Sequence, residues 1–267
     1  MDQGANRLLF RCVRCEGLSF STGAWYTVKN IMGEDESMYK RVLLKISGEA
    51  LMGESGPIGF EKVEKTARSI AVLAEKGIEV GVVVGGGNII RGRDAGQHDR
   101  NRRDHMGMLA TAINALALQD AFEGLGKKAA VLSAVDMDRF CDSFSSRRAK
   151  ELLSQKVIVI FACGSGCPFF STDTAAALRA AEIGADALLL AKNVDAIYSA
   201  DPKKDPNAVR YSHLSYEKVI RDNLKATDLT AITLCREQEL PILCFALDRL
   251  EEAVECENVG TLIDGRA

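Results

Sequence analysis

The sequence has little of several features that mark particular classes of protein. It contains one Trp and three His among 267 residues, which argues against a His-rich metal centre. No apolar run is long enough to cross a bilayer, and no dense run of Lys or Arg indicates nucleic acid as a partner. The net charge is only −3 and 47% of the residues are hydrophobic, so the composition indicates an ordinary globular fold.

Several familiar motifs are also absent. No GxxxxGK[ST] occurs, which excludes a Walker-type phosphate loop, and neither a dinucleotide-binding GxGxxG nor a GxSxG nucleophile turn is present. The eight Cys lack the spacing of a disulfide framework, and Cys12 and Cys15 have no second pair at zinc-site spacing. We therefore expect reduced thiols in a cytoplasmic protein.

The first 37 residues differ from the rest of the chain. They combine scattered Arg residues with short apolar pieces, and ordered patterning begins only near Tyr39. We expect residues 1–37 to be a disordered or non-native N-terminal extension, with Met38 as the natural start. Residues 38–264 are then expected to form one domain.

From Tyr39 onward, apolar runs alternate with amphipathic stretches, which predicts an α/β fold. The expected strands are 39–46, 80–84, 128–133, 157–162, 187–190, 241–245 and 260–263. The expected helices are 60–76, one opening at residue 104, and 145–153, 173–183, 216–223, 228–239 and 249–255.

Two strand ends predict contacts with phosphate. The apolar run Val80–Val84 stops at Gly85-Gly86-Gly87, where the backbone can approach an anion closely, and Arg91 follows. Lys45 lies near the end of the first strand, where open α/β sheets bind ligands. The alternatives are a simple glycine turn and a lysine whose amine extends to solvent.

A second glycine-bearing loop, CGSGCPFFSTD, follows the strand 157–162. Ser171 or Thr172 caps the helix after it, and the helix N-terminus favours an anion. Two glycine turns, a lysine and this helix indicate a cleft for more than one phosphate, in which positive charge would stabilise a migrating phosphoryl group.

Six segments carry a resemblance to a known family. YKRVLLKISGEAL, VGVVVGGGNIIRG, DHMGMLAT, GSGCPFFSTDTAA, VDAIYSADPKKDP and ATDLTA resemble, in order, segments of the bacterial uridylate (UMP) kinases of the amino acid kinase family. The resemblance spans residues 39–264. It implies a three-layer α/β/α sandwich with a mainly parallel central sheet, and transfer of the γ-phosphate of ATP to UMP in pyrimidine biosynthesis. It also implies Mg²⁺ carried with ATP, a homohexamer, and GTP and UTP as effectors.

The same resemblance implies the site residues. Lys45, Asp173 and Asp228 would be catalytic, with Asp228 fixing the phosphate-binding lysine. ATP would contact Lys45, Ile46, Ser47, Gly48, Gly87, Arg91, Lys192, Asn193, Tyr198 and Asp201, where the choice between Lys192 and Asn193 stays open. UMP would contact Gly86, Asp104, Ser165, Gly166, Cys167, Pro168, Phe169, Phe170, Ser171 and Thr172. Asp104 as a helix N-cap is the alternative for that residue. No metal site formed by the protein alone is expected.

Two other functions stay open at this point. A different amino acid kinase, acting on carbamate, acetylglutamate, glutamate or aspartate, would share the lysine and glycine segments but lack DHMGML and PFFSTD. A non-catalytic nucleotide-binding or metal-storage relative would have lost phosphate-handling residues, whereas Lys45, Asp173 and Asp228 are present.

Overall fold

The structure, a computed structural model, describes residues 39–90, 99–202, 204–224, 227–255 and 259–266. The expected N-terminal extension and Arg91 lie outside these residues. The strands are β1 Arg41–Ile46, β2 Glu79–Val84, β3 Ala129–Ser133, β4 Asp142–Ser143, β5 Ile158–Ala162, β6 Ala187–Lys192, β7 Ile197–Tyr198, β8 Arg210–Tyr211, β9 His213–Ser215, β10 Ile242–Ala246 and β11 Thr261–Asp264. The helices are α1 Phe60–Glu75, α2 Arg100–Gly124, α3 Ser146–Ser154, α4 Thr172–Ile183, α5 Tyr216–Arg221, α6 Leu229–Glu237 and α7 Leu250–Val254.

A nine-stranded sheet organises the molecule, with strand order β4-β3-β5-β2-β1-β6-β10-β11-β9. The pairs from β4 to β10 are all parallel, whereas β11 runs antiparallel to β10 and parallel to β9. Strand β1 lies between β2 and β6, and every residue of β2 is buried. Because β1, β2 and β6 are parallel, their carboxyl ends meet at one edge of the sheet.

Helices cover both faces of the sheet. Val42 and Leu44 of β1 pack in one apolar core with residues of α1, α2 and α7, whereas Leu43 points into a second core formed with α3, α4, α5 and α6. Alternate residues of a buried strand thus serve two cores. This arrangement confirms the predicted three-layer α/β/α sandwich with a mainly parallel sheet.

The predicted elements are found, with differences at their ends. Helix α2 begins at Arg100, four residues before the predicted start, and Asp99 caps it by accepting from the N–H of Asn101 (2.8 Å). Its first turn is polar, so apolar periodicity gives no signal there. The two-stranded β7–β8 sheet and the short strands β4 and β9 were not predicted, because two or three residues carry no periodic pattern. None of the helices within the described residues combines the length and the apolar character needed to cross a membrane.

Candidate active site

Three charged side chains meet at the carboxyl edge of the central strands. Lys45 near the end of β1 and Lys192 at the end of β6 lie on either side of Asp173, in the first turn of α4. Lys45 Nζ is 2.6 Å from Asp173 Oδ1, and Lys192 Nζ is 2.9 Å from Asp173 Oδ2. The side chains of Lys45, Lys192 and Asp173 are 12%, 24% and 14% exposed, respectively. They form a mostly buried group with a net charge of +1.

The Asp173 carboxylate is ionised because of its neighbours. Burial alone would raise the pKa of Asp173, but the ammonium groups of Lys45 and Lys192 and the hydroxyl of Thr227 outweigh burial and hold the pKa well below its ordinary value. Thr227 Oγ1 donates to Asp173 Oδ2 at 2.6 Å. A carboxylate held in this state orients the two lysines and does not accept a proton near neutral pH.

A second carboxylate, that of Asp228, joins the starts of two helices. It caps α6 by accepting from the N–H of Ala231 (2.8 Å), and it accepts from the hydroxyls of Ser171 and Thr174 at the start of α4. Ser171 in turn caps α4 by accepting from the N–H of Thr174 (3.1 Å). Asp173, rather than Asp228, is therefore the partner of Lys45 in this structure, which differs from the role that the family resemblance implied for Asp228.

The two glycine-bearing turns after β1 and β2 pack backbone against backbone. The N–H of Gly85 donates to the carbonyl of Ile46 (3.0 Å). A Cβ on Gly48 would lie 2.5 Å from the Gly85 carbonyl oxygen, which no side chain tolerates, whereas a Cβ on Gly87 would meet nothing within 4 Å. Gly87 thus leaves its backbone open. Ser47 caps the short turn Gly48–Leu51.

Two buried amides, which the sequence analysis missed, support this glycine turn. Asn114 of α2 donates through Nδ2 to the Gly85 carbonyl (2.7 Å) and to Asn88 Oδ1 (2.8 Å). Asn88 donates through Nδ2 to Asn114 Oδ1 (3.0 Å) and to the Pro57 carbonyl (2.8 Å). The available signal was one Asn among the small and apolar residues of the predicted helix.

Helix α2 also approaches the glycine turn directly. A Cβ on Gly86 would lie 2.8 Å from the carbonyl oxygen of Gly107 and 2.9 Å from Ala110 Cβ. Thr111 of the same helix accepts through Oγ1 from the N–H of Cys163 (2.9 Å), at the start of the second glycine-bearing loop. The helix therefore contacts both loops, and glycine at position 86 permits this approach.

Residues predicted to contact UMP come together where the second glycine-bearing loop passes the first turns of α2. The N–H of Phe169, which has φ +72°, donates to Asp104 Oδ2 (2.7 Å), and the guanidinium carbon of Arg100 lies 5.0 Å from the centre of the Phe169 ring. Phe169 and Phe170 are 57% and 53% exposed. Asp104 lies inside α2, so the N-cap interpretation is wrong for it. Exposed aromatic faces thus stand beside a carboxylate.

The other predicted residues of this loop form its turn. Ser165 Oγ accepts from the N–H of Cys167 at 3.2 Å. A Cβ on Gly166, which has φ +80°, would lie 3.0 Å from the Ala134 carbonyl oxygen. Pro168 continues the loop, and Thr172 is the first residue of α4.

The residues predicted to contact the adenosine part of ATP lie in a separate hydrogen-bond network. The hydroxyl of Tyr198 donates to Asp195 Oδ1 (2.9 Å), and Arg210 Nε donates to Asp195 Oδ2 (3.0 Å). Burial opposes these bonds, which nevertheless lower the pKa of Asp195. Asp201 lies in the turn after β7, 3.9 Å from Lys204 Nζ.

Lys192 and Asn193, between which the sequence leaves the choice of ATP contact open, have different partners in the structure. Lys192 belongs to the charged group described above, whereas Asn193 Nδ2 donates to Glu49 Oε2 (3.3 Å), beside the turn that follows β1. Among the described residues, no three His, Cys, Asp or Glu side chains are placed to hold a metal ion together.

Comparison with known proteins identifies the family. The sequence profile of the amino acid kinase family matches residues 40–246. The chain belongs to the amino acid kinase family. Such a match, over most of the chain, confirms the family predicted from the six segments.

Three solved structures resemble this chain closely. A UMP kinase from Bacillus anthracis is 37% identical with a TM-score of 0.83, and the match covers 86% of this chain and 97% of that chain. A UMP kinase from Ureaplasma parvum is 37% identical with a TM-score of 0.79, over 84% and 98% of the two chains. A uridylate kinase from Archaeoglobus fulgidus is 31% identical with a TM-score of 0.64, over 83% and 99%. This amino acid kinase therefore shares its fold along nearly the whole length of these enzymes.

Proposed function

We propose that this amino acid kinase is a UMP kinase that transfers the γ-phosphate of ATP to UMP, giving UDP and ADP in de novo pyrimidine nucleotide synthesis. The group formed by Lys45, Asp173 and Lys192 carries this proposal, because two ammonium groups fixed by one carboxylate leave a net positive charge where strand ends and glycine turns meet. The likeness to three solved UMP or uridylate kinases supports the choice of substrate.

The reaction needs charge stabilisation more than proton transfer. An oxygen of the UMP phosphate attacks the γ-phosphorus in line, the bond to the β–γ bridging oxygen breaks, and ADP leaves. A phosphate monoester has a second pKa of ~6, so UMP needs no general base at neutral pH. Lys45 and Lys192 would stabilise the charge on the migrating group, and Asp173 would keep them in position.

On the donor side, the open backbone of Gly87 and the turn around Ser47 and Gly48 would hold the ATP phosphates, with Ile46 and Arg91 beside them. Tyr198 and Asp201 would contact adenosine. Mg²⁺ enters as part of the MgATP substrate, bound by the phosphate oxygens.

On the acceptor side, the Asp104 carboxylate would accept hydrogen bonds from the ribose hydroxyls of UMP. The exposed rings of Phe169 and Phe170 would contact the pyrimidine, since aromatic faces favour stacking with bases. Gly86 and the loop from Ser165 to Thr172 would surround the nucleotide.

The assembly and location form part of the same proposal. Four apolar side chains on one side of α2 are 36–55% exposed: Met106, Leu109, Ile113 and Leu116. We assign them to contacts with a second copy of this chain in a homohexamer, because their spacing forms one continuous apolar stripe. A cytoplasmic location, GTP activation and UTP inhibition rest on the family resemblance.

Measurement of ADP release tests the activity. The protein is incubated with MgATP and, in turn, UMP, CMP, carbamate and acetylglutamate, and release is expected to be fastest with UMP. In Lys45→Met, kcat is expected to fall by about 10²- to 10³-fold, as for loss of one fixed electrostatic contact. Lys62→Met, on the exposed side of α1, is the control and should retain activity. Preference for an acceptor other than UMP, or full activity of Lys45→Met, would contradict the proposal.

A further inference from the structure

We propose that Thr227 is a positioning residue that fixes the orientation of the Asp173 carboxylate between the two lysines. This inference rests on the proposed phosphoryl transfer, but it concerns a residue outside the set that the sequence indicated. Thr227 directly precedes Asp228 and would act through Asp173 rather than touch either nucleotide.

The contacts around Asp173 assign this role. Each carboxylate oxygen forms an ion pair with one lysine, and Asp173 Oδ2 accepts hydrogen bonds from both Lys192 Nζ and Thr227 Oγ1, the latter at 2.6 Å. A threonine hydroxyl has one hydrogen to donate, and here that hydrogen is used on the carboxylate. Of these three partners, Thr227 is the uncharged one. Its hydrogen bond therefore orients the Asp173 carboxylate without adding repulsion between cations.

The surroundings hold Thr227 in place. Asp228, the next residue, is fixed by the N–H of Ala231 and by the hydroxyls of Ser171 and Thr174. These bonds tie the start of α6 to the start of α4, which carries Asp173 itself. The Thr227 hydroxyl therefore reaches Asp173 from a hydrogen-bonded junction of two helix starts.

Loss of this hydroxyl should affect turnover more than substrate binding. A carboxylate with only two flexible lysine partners can rotate, and the two ammonium groups then leave the positions that suit the migrating phosphoryl group. In the proposed mechanism, backbone amides would also hold the substrate phosphates in the ground state, whereas fixed charge counts most in the transition state. We expect kcat to fall and the KM values to change little.

Kinetics of three variants test the role. Thr227→Val removes the hydroxyl with almost the same shape and is expected to lower kcat by about 10- to 100-fold, as for loss of a hydrogen bond to a charged group, with both KM values within about twofold. Thr227→Ser restores the donor and should recover most of kcat. Thr233→Val is the matched control, because Thr233 Oγ1 donates only to the Leu229 carbonyl (2.8 Å) of the same helix. Unchanged kcat in Thr227→Val, or a Ser variant as impaired as the Val variant, would overturn the proposal.

A measurement independent of activity separates this inference from the proposed function. Thr227→Val should lower the urea midpoint of unfolding in the wild-type background but not in Asp173→Ala, where the acceptor is missing. An equal shift in both backgrounds would show that the hydroxyl does not act on Asp173. If the wild-type protein released no ADP with any acceptor, the proposed function would fail, while this comparison would still decide whether Thr227 bonds to Asp173.

Discussion

Replacement of Asp173 by Asn is the most direct test of the charged group at the sheet edge. The change keeps the size of the side chain but removes the single negative charge between Lys45 and Lys192. Each lysine side chain is less than a quarter exposed, so two mostly buried ammonium groups would face each other without a counter-ion. Both the stability and the activity of the protein should therefore fall.

The two ion-pair distances give the expected size of the stability loss in Asp173→Asn. At 2.6 Å and 2.9 Å, with an effective dielectric constant of about 20, each lysine attracts Asp173 by ~6 kcal/mol before desolvation is subtracted. Desolvation of the three groups offsets much of this attraction, but removal of one partner leaves that cost in place. Breaking a buried ion pair in this way typically costs about 3–5 kcal/mol, which we expect as the loss in the free energy of unfolding.

Urea unfolding at pH 7 measures this loss, and Asp222→Asn is the control. Asp222 makes the same kind of ion pairs with Lys218 and Arg221 at the surface, so its variant should unfold close to the wild-type midpoint. Release of ADP from the same preparations gives kcat, which should fall by about 10²-fold or more in Asp173→Asn.

The contribution of Asp173 to stability should decrease at low pH. Because the pKa of Asp173 is lowered in the folded protein, its contribution to the free energy of unfolding is complete above the unfolded pKa of ~4 and declines as the pH falls toward the folded pKa. The difference between wild type and Asp173→Asn should thus be constant from pH 6 to 8 and shrink by up to ~1.4 kcal/mol per pH unit below ~4. A variant with wild-type stability and wild-type kcat would refute the reasoning.

Three further changes test other parts of the site and the surface. Gly86→Ala should destabilise the protein by about 1–3 kcal/mol, because the new Cβ would lie 2.8 Å from the Gly107 carbonyl oxygen, whereas Gly87→Ala should leave the melting temperature unchanged. Asp104→Ala should raise the KM for UMP by about tenfold or more through loss of charged hydrogen bonds, with little change in the KM for ATP. Leu109→Glu should reduce the oligomer size measured by light scattering, because Leu109 is 55% exposed on the apolar stripe of α2.

Each of these changes has an outcome that contradicts its premise. Equal melting temperatures for both glycine variants would show that α2 does not approach the glycine turn as described. An equal rise in the two KM values would remove Asp104 from the acceptor side. Phe60→Glu, at an apolar residue that is even more exposed (72%) at the start of α1, is the control for assembly, and a similar effect of both glutamates would argue against a specific role for α2.

Local signals explain what could be predicted. The continuous apolar run of β2 predicts a strand buried on both faces, and the glycines after it predict a turn with accessible backbone. Lys45 near the end of β1 was identified for the same reason, because a strand's end follows from its own residues. Asp104 and Phe169 were named from the family resemblance, whereas their hydrogen bond joins two segments 65 residues apart and needed the structure.

Partnerships between distant segments could not be predicted in this way. The family resemblance implied that Asp228 is the partner of Lys45, but in the fold Asp173 holds that position and Asp228 joins the starts of α4 and α6. Asn88 and Asn114 likewise gave no signal of their contact, since each is an ordinary polar residue until α2 lies against the glycine turn.

The sequence by itself determined the alternating α/β architecture, the family, and the glycine turns and lysine at the strand ends, because these follow from apolar periodicity and from residue types at fixed local spacing. Only the tertiary structure decided that Asp173 is the carboxylate that pairs with Lys45. It also decided that Lys192, and not Asn193, contacts this carboxylate, and that Thr227 donates to it. The physical reason is the separation of the interacting residues along the chain. A strand or turn is specified by residues that are neighbours in the sequence. A buried ion pair depends instead on the sheet order, which brings β1, β6 and the starts of α4 and α6 to one edge.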